Sequence, residues 1–207
     1  MRGMGTARSA YASWDREAAV RRALQHADDS SACEGGGKFV WNFAFGSNLN
    51  PQRVRSRGMR PSSLRRGVLP GWRLLFNHTG GYGNIEQTEV IKRLGYDTSR
   101  LSPNPAFAPP DEVHGALLLF SRDDFARLAL EEYAYDTVEV PVKIYEEDRL
   151  EGCAPVQFAL AFKTAACAVV ESSTLPSSRY IALIRDGARA SCLQPRYCEW
   201  LENVPFA

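Results

Sequence analysis

The sequence predicts a mixed α+β fold: a small, curved, mainly antiparallel sheet or barrel with helices around it. Three observations carry this. From Lys38 onward, strand-length aromatic and β-branched runs alternate with helical stretches. Two neighbouring segments show the two different periods. Arg122–Tyr133 repeats at the 3.6 spacing, whereas Val138, Val140, Val142 and Ile144 alternate with Thr137, Glu139, Pro141 and Lys143. Finally, 207 residues with 44% hydrophobic side chains suit one packed core. No internal repeat is visible.

Taken in order, residues 1–37 read as a flexible leader with one short helix. Ala10–Ala27 has a weak apolar face (Ala18, Ala19, Leu24), with Ser13 as its N-cap. Asp28–Ser31 and Glu34–Gly37 have linker composition. The domain proper is expected over 38–207. Phe39–Phe45 is aromatic and β-prone, a buried strand. Asn50-Pro51 opens a short polar helix to Arg57, because Asn caps well and Pro suits the first helical position. Val68–Phe76 is a strand broken at Pro70-Gly71, and Asn77–Glu89, with Gly80, Gly81 and Gly83, reads as loop. Val90–Pro110 ends in prolines and small residues and reads as a surface insertion. Strands follow at Val113–Phe120, Thr137–Tyr145 and Pro155–Phe162, with the Arg122–Tyr133 helix among them. Helices Ser177–Arg189 and Pro195–Leu201 come last.

Composition excludes several classes. The net charge of +1 gives no bulk attraction to nucleic acid or to a membrane surface. No run nears the ~18 apolar residues of a spanning helix. Cys33, Cys153, Cys167, Cys192 and Cys198 are odd in number and lack CxxC spacing, so neither a disulfide framework nor a zinc site is expected. Reduced thiols and a cytoplasmic location are the expectation. Gly80-Gly81-Tyr82-Gly83 lacks the spacing of a phosphate or dinucleotide loop.

Two features point to chemistry. Phe43-Ala44-Phe45-Gly46-Ser47-Asn48-Leu49 runs a strand through a Gly-hinged polar loop into a helix start. Backbone N–H groups in such a loop suit an anion or a developing oxyanion, although many α/β turns share the pattern. The second feature is Glu132. It follows Phe125, Leu128 and Ala129 at i+7, i+4 and i+3, on the apolar stripe of its helix, while Asp124, Arg127 and Glu131 share the charged side. A carboxylate held against an apolar wall has a raised pKa, which suits a general base near neutral pH. The plainer alternative is that Glu132 pairs with a buried Arg or Tyr. His78 and His114 read as structural or exposed. The run Arg53, Arg55, Arg57, Arg60, Arg65, Arg66 and Arg73 reads as a solvated basic face or as a rim drawing in an acidic substrate.

The loop sequence resembles the signature of the γ-glutamylcyclotransferase family, Tyr/Phe-Ala-Tyr-Gly-Ser-Asn-Leu, with Phe45 in place of its second aromatic, Tyr. The family's catalytic Glu ends a helix of pattern Leu-Asp-x-x-Glu-Gly, which aligns on Leu128-Ala129-Leu130-Glu131-Glu132. Tyr133 stands where the family has Gly, and the loop to Tyr135 is shorter. Pro176-Ser177-Ser178-Arg179-Tyr180, then Gly187-Ala188, Leu193 and Tyr197–Leu201, is similar to the family's closing pattern. Gly83-Asn84-Ile85 and Val113-His114-Gly115-Ala116 match its middle. The resemblance covers about residues 39 to 203.

The resemblance implies that fold and an intramolecular attack on a γ-glutamyl amide, releasing 5-oxoproline and a free amino acid. It implies Glu132 as general acid and base, and Asn42, Phe43, Ala44, Phe45, Gly46, Ser47, Asn48, Tyr135 and Tyr180 as substrate-binding residues. It implies no metal or organic cofactor. The partner implied is a small γ-glutamyl molecule, with no nucleic acid and no membrane; a homodimer is an open expectation. Two alternatives stay open: a related enzyme acting on γ-glutamylamines or glutathione, and a non-catalytic binding module on the same scaffold.

Overall fold

The computed structural model describes residues 14–102, 109–152, 154–170 and 174–207. Its elements are α1 (Arg16–Asp29), β1 (Cys33–Glu34), β2 (Phe39–Ala44), α2 (Pro51–Ser56), β3 (Ser63–Pro70), β4 (Trp72–His78) and β5 (Tyr82–Gln87). They continue as α3 (Thr88–Leu94), β6 (Glu112–Ser121), α4 (Arg122–Glu131), β7 (Tyr135–Ile144), β8 (Val156–Thr164), α5 (Ser178–Ala190) and α6 (Pro195–Asn203). The main sheet has the order β1-β2-β6-β3-β7-β8, and β4-β5 forms a separate hairpin.

The main sheet is a barrel. Its neighbours are antiparallel except at the closure, where β2 meets β8 in parallel at Asn42↔Leu160. The Asn42 Nδ2–H group donates to the Leu160 carbonyl at 2.7 Å, which satisfies a buried amide and bridges the seam. Val40, Trp41, Phe43 and Ala44 of β2 are all buried, as a wall strand packed on both faces requires. α4 lies over this wall, with Phe125, Leu128 and Ala129 buried and Phe125 stacked on Phe162 at 5.9 Å.

The N-terminal segment is docked over 14–37, contrary to the expected flexible leader. The helix starts at Arg16 with Asp15 as its cap and runs to Asp29; Ser13 lies outside the described residues. Its buried residues are Ala19, Ala23 and Ala27, one small-residue face that lets the backbone approach α4 and β7 closely. Arg22–Asp136 (3.3 Å) and His26–Thr137 (2.8 Å) fix its register. The expected linker at Glu34–Gly37 is the turn of a small hairpin, Cys33 pairing with Val40 and Glu34 with Phe39, with Gly35, Gly36 and Gly37 all at positive φ.

Other boundaries move. The strand expected at Val68–Phe76 is two strands, β3 from Ser63 and β4 to His78. Arg65 and Arg66 obscured β3 in the sequence; Arg65 lies over the Trp41 ring at 5.0 Å, and Arg66 pairs with Asp148 at 2.6 Å. The expected loop at Asn77–Glu89 contains β5 and opens α3. Its buried polar side chains are bonded rather than solvated. Asn84 donates to Asn77 Oδ1 (2.9 Å) and accepts from the Thr164 N–H (2.9 Å), and Glu86 meets Lys163 at 2.8 Å. Of the expected insertion, α3 and a short turn at Ser99–Leu101 are ordered, with Leu101 buried; residues 103–108 lie outside the described ones. Thr88 and Arg73 both bind Asp111, which ties the two ends together. The helix expected to reach Tyr133 ends at Glu131, leaving Glu132 as its C-cap. His114 is buried on β6, bonded to Tyr145 and Glu112 (3.0 Å).

Candidate active site

A cavity of about 420 Å³ opens between the end of β2, the following loop, the C-terminus of α4 and the β4-β5 hairpin. The structure brings every sequence-predicted site residue to it: Asn42 to Asn48, Glu132, Tyr135 and Tyr180.

The loop is held from below. Asn50 caps α2, its Oδ1 accepting from the N–H groups of Gln52 (2.9 Å) and Arg53 (3.3 Å), a cap worth about 1 kcal/mol. α5 crosses directly beneath. A Cβ on Gly187 would lie 2.7 Å from the Asn50 nitrogen, so only glycine permits this approach. Ser47–Leu49 forms a tight turn in which the Leu49 and Asn50 amides donate to Gly46 and Ser47 carbonyls. Not all loop amides are therefore free, contrary to the simplest reading of the motif. The Gly46 and Asn48 amides have no backbone acceptor among the described residues.

Glu132 faces the loop. Its Oε1 accepts from Asn48 Nδ2 at 2.8 Å and sits 3.4 Å from Arg57 Nη1, which also donates to Asn48 Oδ1 at 2.8 Å. The Asn48 side chain thus bridges Arg57 and Glu132, a contact the sequence reading, which turned on the loop's backbone N–H groups, did not foresee. The pairing with an arginine, the plainer alternative above, is real but long. The Glu132 side chain is 13% exposed, and burial raises its carboxyl above the ordinary carboxylate range, against the lowering pull of Asn48 and Arg57. Its neighbour Glu131 is 56% exposed and reaches Arg57 only at 3.9 Å. The two adjacent carboxylates have different environments, as the helix period required.

Two tyrosines close the far wall around Gly83. Tyr180 accepts from the Gly83 N–H at 2.9 Å, and Tyr135 donates to the Gly83 carbonyl at 2.7 Å. Burial pushes the Tyr180 hydroxyl up to about 12, with the amides of Gly83 and Ser47 opposing, so it stays a protonated donor. Its oxygen lies 3.2 Å from where a Gly46 Cβ would stand and 2.9 Å from a Gly83 Cβ, a space that two glycines keep open. Tyr135 has its proton committed to Gly83 and its ring stacked on His78 at 4.3 Å. Phe45 is buried against Phe43 at 6.4 Å, an environment that makes no demand for the missing hydroxyl.

Sequence reasoning missed several lining residues. His78, Tyr82 and Gly83 arrive on the hairpin that read as loop; burial takes the His78 imidazole down to about 4. Arg53 and Arg57 line the cavity together because Arg57, the C-cap of α2, follows Arg53 by four residues. That spacing was available inside the arginine run. Tyr133, at the family's Gly position, meets Trp14 edge-on (6.5 Å) and Arg16 (5.1 Å), so the docked N-terminal segment braces the residue after Glu132.

The closed barrel with its surrounding helices is a γ-glutamylcyclotransferase-like fold, and known proteins share it. The chain is 26% identical over 172 residues to the γ-glutamyl cyclotransferase gliK of Aspergillus fumigatus, covering 80% of this chain and 62% of that protein. A solved structure named γ-glutamyl cyclotransferase superposes with a TM-score of 0.60 at 20% identity, covering 82% of this chain and 90% of that one. An uncharacterised human protein gives 0.59 at 21%, with the same coverage. A yeast γ-glutamyl cyclotransferase specific to glutathione gives 0.51 at 15%, covering 81% and 96%. At these identities the structural matches establish the fold. No family model matches the sequence. Among the described residues no helix is long and apolar enough to cross a membrane.

Proposed function

We propose that the chain is a γ-glutamylcyclotransferase that converts a γ-glutamyl-amino acid to 5-oxoproline and a free amino acid. The observation that carries the reading is the buried Glu132 carboxylate, hydrogen-bonded to Asn48 and facing the Gly46-Ser47-Asn48 loop across one cavity. The substrate's α-amine attacks its own γ-carbonyl, so nucleophile and electrophile arrive already tethered. The site gains rate by holding the cyclising rotamer. The amine arrives protonated and must lose a proton. The first proton leaves to solvent, giving the free amine; Glu132, raised by burial, accepts the second as the new C–N bond forms and returns it to the leaving nitrogen as the old C–N bond breaks. The amides of Gly46 and Asn48 stabilise the oxygen of the tetrahedral intermediate. The Tyr180 hydroxyl donates to substrate from its place between Gly46 and Gly83, and Tyr135 holds Gly83 in position.

The test is 5-oxoproline release from a panel of γ-glutamyl-amino acids, glutathione and γ-glutamyl-lysine. Release from the amino-acid dipeptides supports the reading as stated. Release from glutathione or γ-glutamyl-lysine alone would move the substrate and keep the reaction. No release from folded protein with any donor would leave a binding module on this scaffold.

A further inference from the structure

Arg53 is the feature of the cavity that the reaction above does not use. Its side chain is half-buried and lines the cavity, and its Nε is fully buried with no hydrogen-bond partner. No carboxylate among the described residues pairs with it, whereas Arg57, one turn along, is engaged by Asn48, Glu132 and Glu131. Arg55, on the outer face of the same helix, lines a different groove. A buried N–H donor left without an acceptor is costly, and an anion in the cavity would complete it. Its planar fork suits a carboxylate in two-point contact.

The γ-glutamyl head group is a zwitterion, with ammonium and carboxylate on one carbon. The cavity offers a matched set: the Glu132 carboxylate and the unpaired Arg53 guanidinium, which line one space without forming an ion pair. A proton-accepting Glu132 must reach the α-amine. The α-carboxylate then lies two bonds from that nitrogen, whatever rotamer the side chain takes. A carboxylate on the leaving amino acid is not so tethered. Resting on the cyclotransferase reading, we propose that Arg53 binds the α-carboxylate of the γ-glutamyl group and so selects donors that carry it. Arg53 thereby orients the amine toward Glu132.

5-Oxoproline retains this carboxylate and 2-pyrrolidinone is the same ring without it, so their relative binding isolates the contact. By calorimetry on the full chain, the wild type is expected to prefer 5-oxoproline by about 10- to 100-fold, the usual effect of a charge-assisted hydrogen-bonded contact. Arg53→Gln should abolish the preference, and Arg53→Lys should retain part of it, because lysine keeps the charge without the fork. The thermal midpoint of Arg53→Gln should not fall, since the substitution removes a buried Nε–H donor that has no acceptor among the described residues. A preference that survives in Arg53→Gln, or its absence in the wild type, overturns the proposal. The reaction is read separately. An intact, Arg53-dependent preference with no 5-oxoproline release from any donor keeps the anion site and sinks the cyclotransferase reading.

Discussion

The cavity is built from two halves that differ in what holds them. One half is the end of β2 with the loop and α2, residues 42–57. It is fixed by backbone geometry: the Asn50 cap, the tight turn at Ser47–Leu49 and the close crossing of α5 at Gly187. The other half is the β4-β5 hairpin, residues 72–87. It is fixed by buried polar side chains: Asn77 to Asn84, Asn84 to the Thr164 amide, Glu86 to Lys163. The first presents the Gly46 and Asn48 amides and holds Glu132 through the Asn48 side chain. The second presents Gly83 and His78 and sets the shape of the far wall. Substitutions in the first should therefore change chemistry with little change in folding, and substitutions in the second the reverse.

The largest effect is expected at Glu132, which the loop half positions through Asn48. Glu132→Gln should lower 5-oxoproline release by roughly 1,000-fold, within the range for loss of a general acid–base group. Its folding should not suffer. A carboxyl raised by burial stabilises the fold most below the ordinary carboxylate range. That contribution is lost as pH rises through the folded-state pKa, so burying this carboxyl becomes a cost toward higher pH that Gln removes. Thermal melts across pH 4–8 check the sign. The same raised pKa places the acidic limb of kcat/KM above the ordinary carboxylate range, with activity lost as pH falls and the base becomes protonated.

Gly46→Val comes next. A Cβ there stands 3.2 Å from the Tyr180 oxygen, and valine's branched methyls extend further into the cavity. A loss of about 100-fold in kcat/KM is expected, the scale of a 1 Å misplacement. A variant with wild-type kinetics would show that the substrate does not use the loop. Asn48→Ala removes the bridge between Arg57 and Glu132 and should cost about 10-fold in kcat while moving the acidic limb upward, because Asn48 lowers the carboxyl.

On the hairpin, Asn84→Ala leaves the Asn77 oxygen and the Thr164 amide unpartnered. It should cost about 1–3 kcal/mol in chemical denaturation, with a smaller kinetic effect transmitted through Gly83. Lys163→Met, at a pair partly open to solvent, should change stability by about 1 kcal/mol or less. If the hairpin variants abolished turnover while leaving stability intact, the division between the halves would be wrong.

The same division decides what the sequence made legible. The loop half carries its own signals: an aromatic strand, a hinge glycine, an Asn-Pro helix start. Glu132 stood out because an amphipathic helix gives a charged residue an unambiguous side, and the barrel because β7 alternates cleanly. The end of β4 and all of β5 were illegible because Asn77, Asn84 and Glu86 look like loop residues unless their partners, up to 80 positions away, are known. α1 was undervalued for another reason. Its contact face is alanine, which contributes little to an apolar pattern and much to close packing. Arg53 and Arg57 share a face by spacing alone, but an arginine run on a short helix reads equally well as solvated.

The most direct test of the account is a side-by-side comparison of Glu132→Gln and Glu131→Gln in 5-oxoproline release from a γ-glutamyl-amino acid. The two residues are adjacent in sequence, and only one is buried against the Gly46 loop. The account predicts near-complete loss in Glu132→Gln and close to wild-type turnover in Glu131→Gln, with both variants folded. Equal losses, or loss only at Glu131, would contradict it.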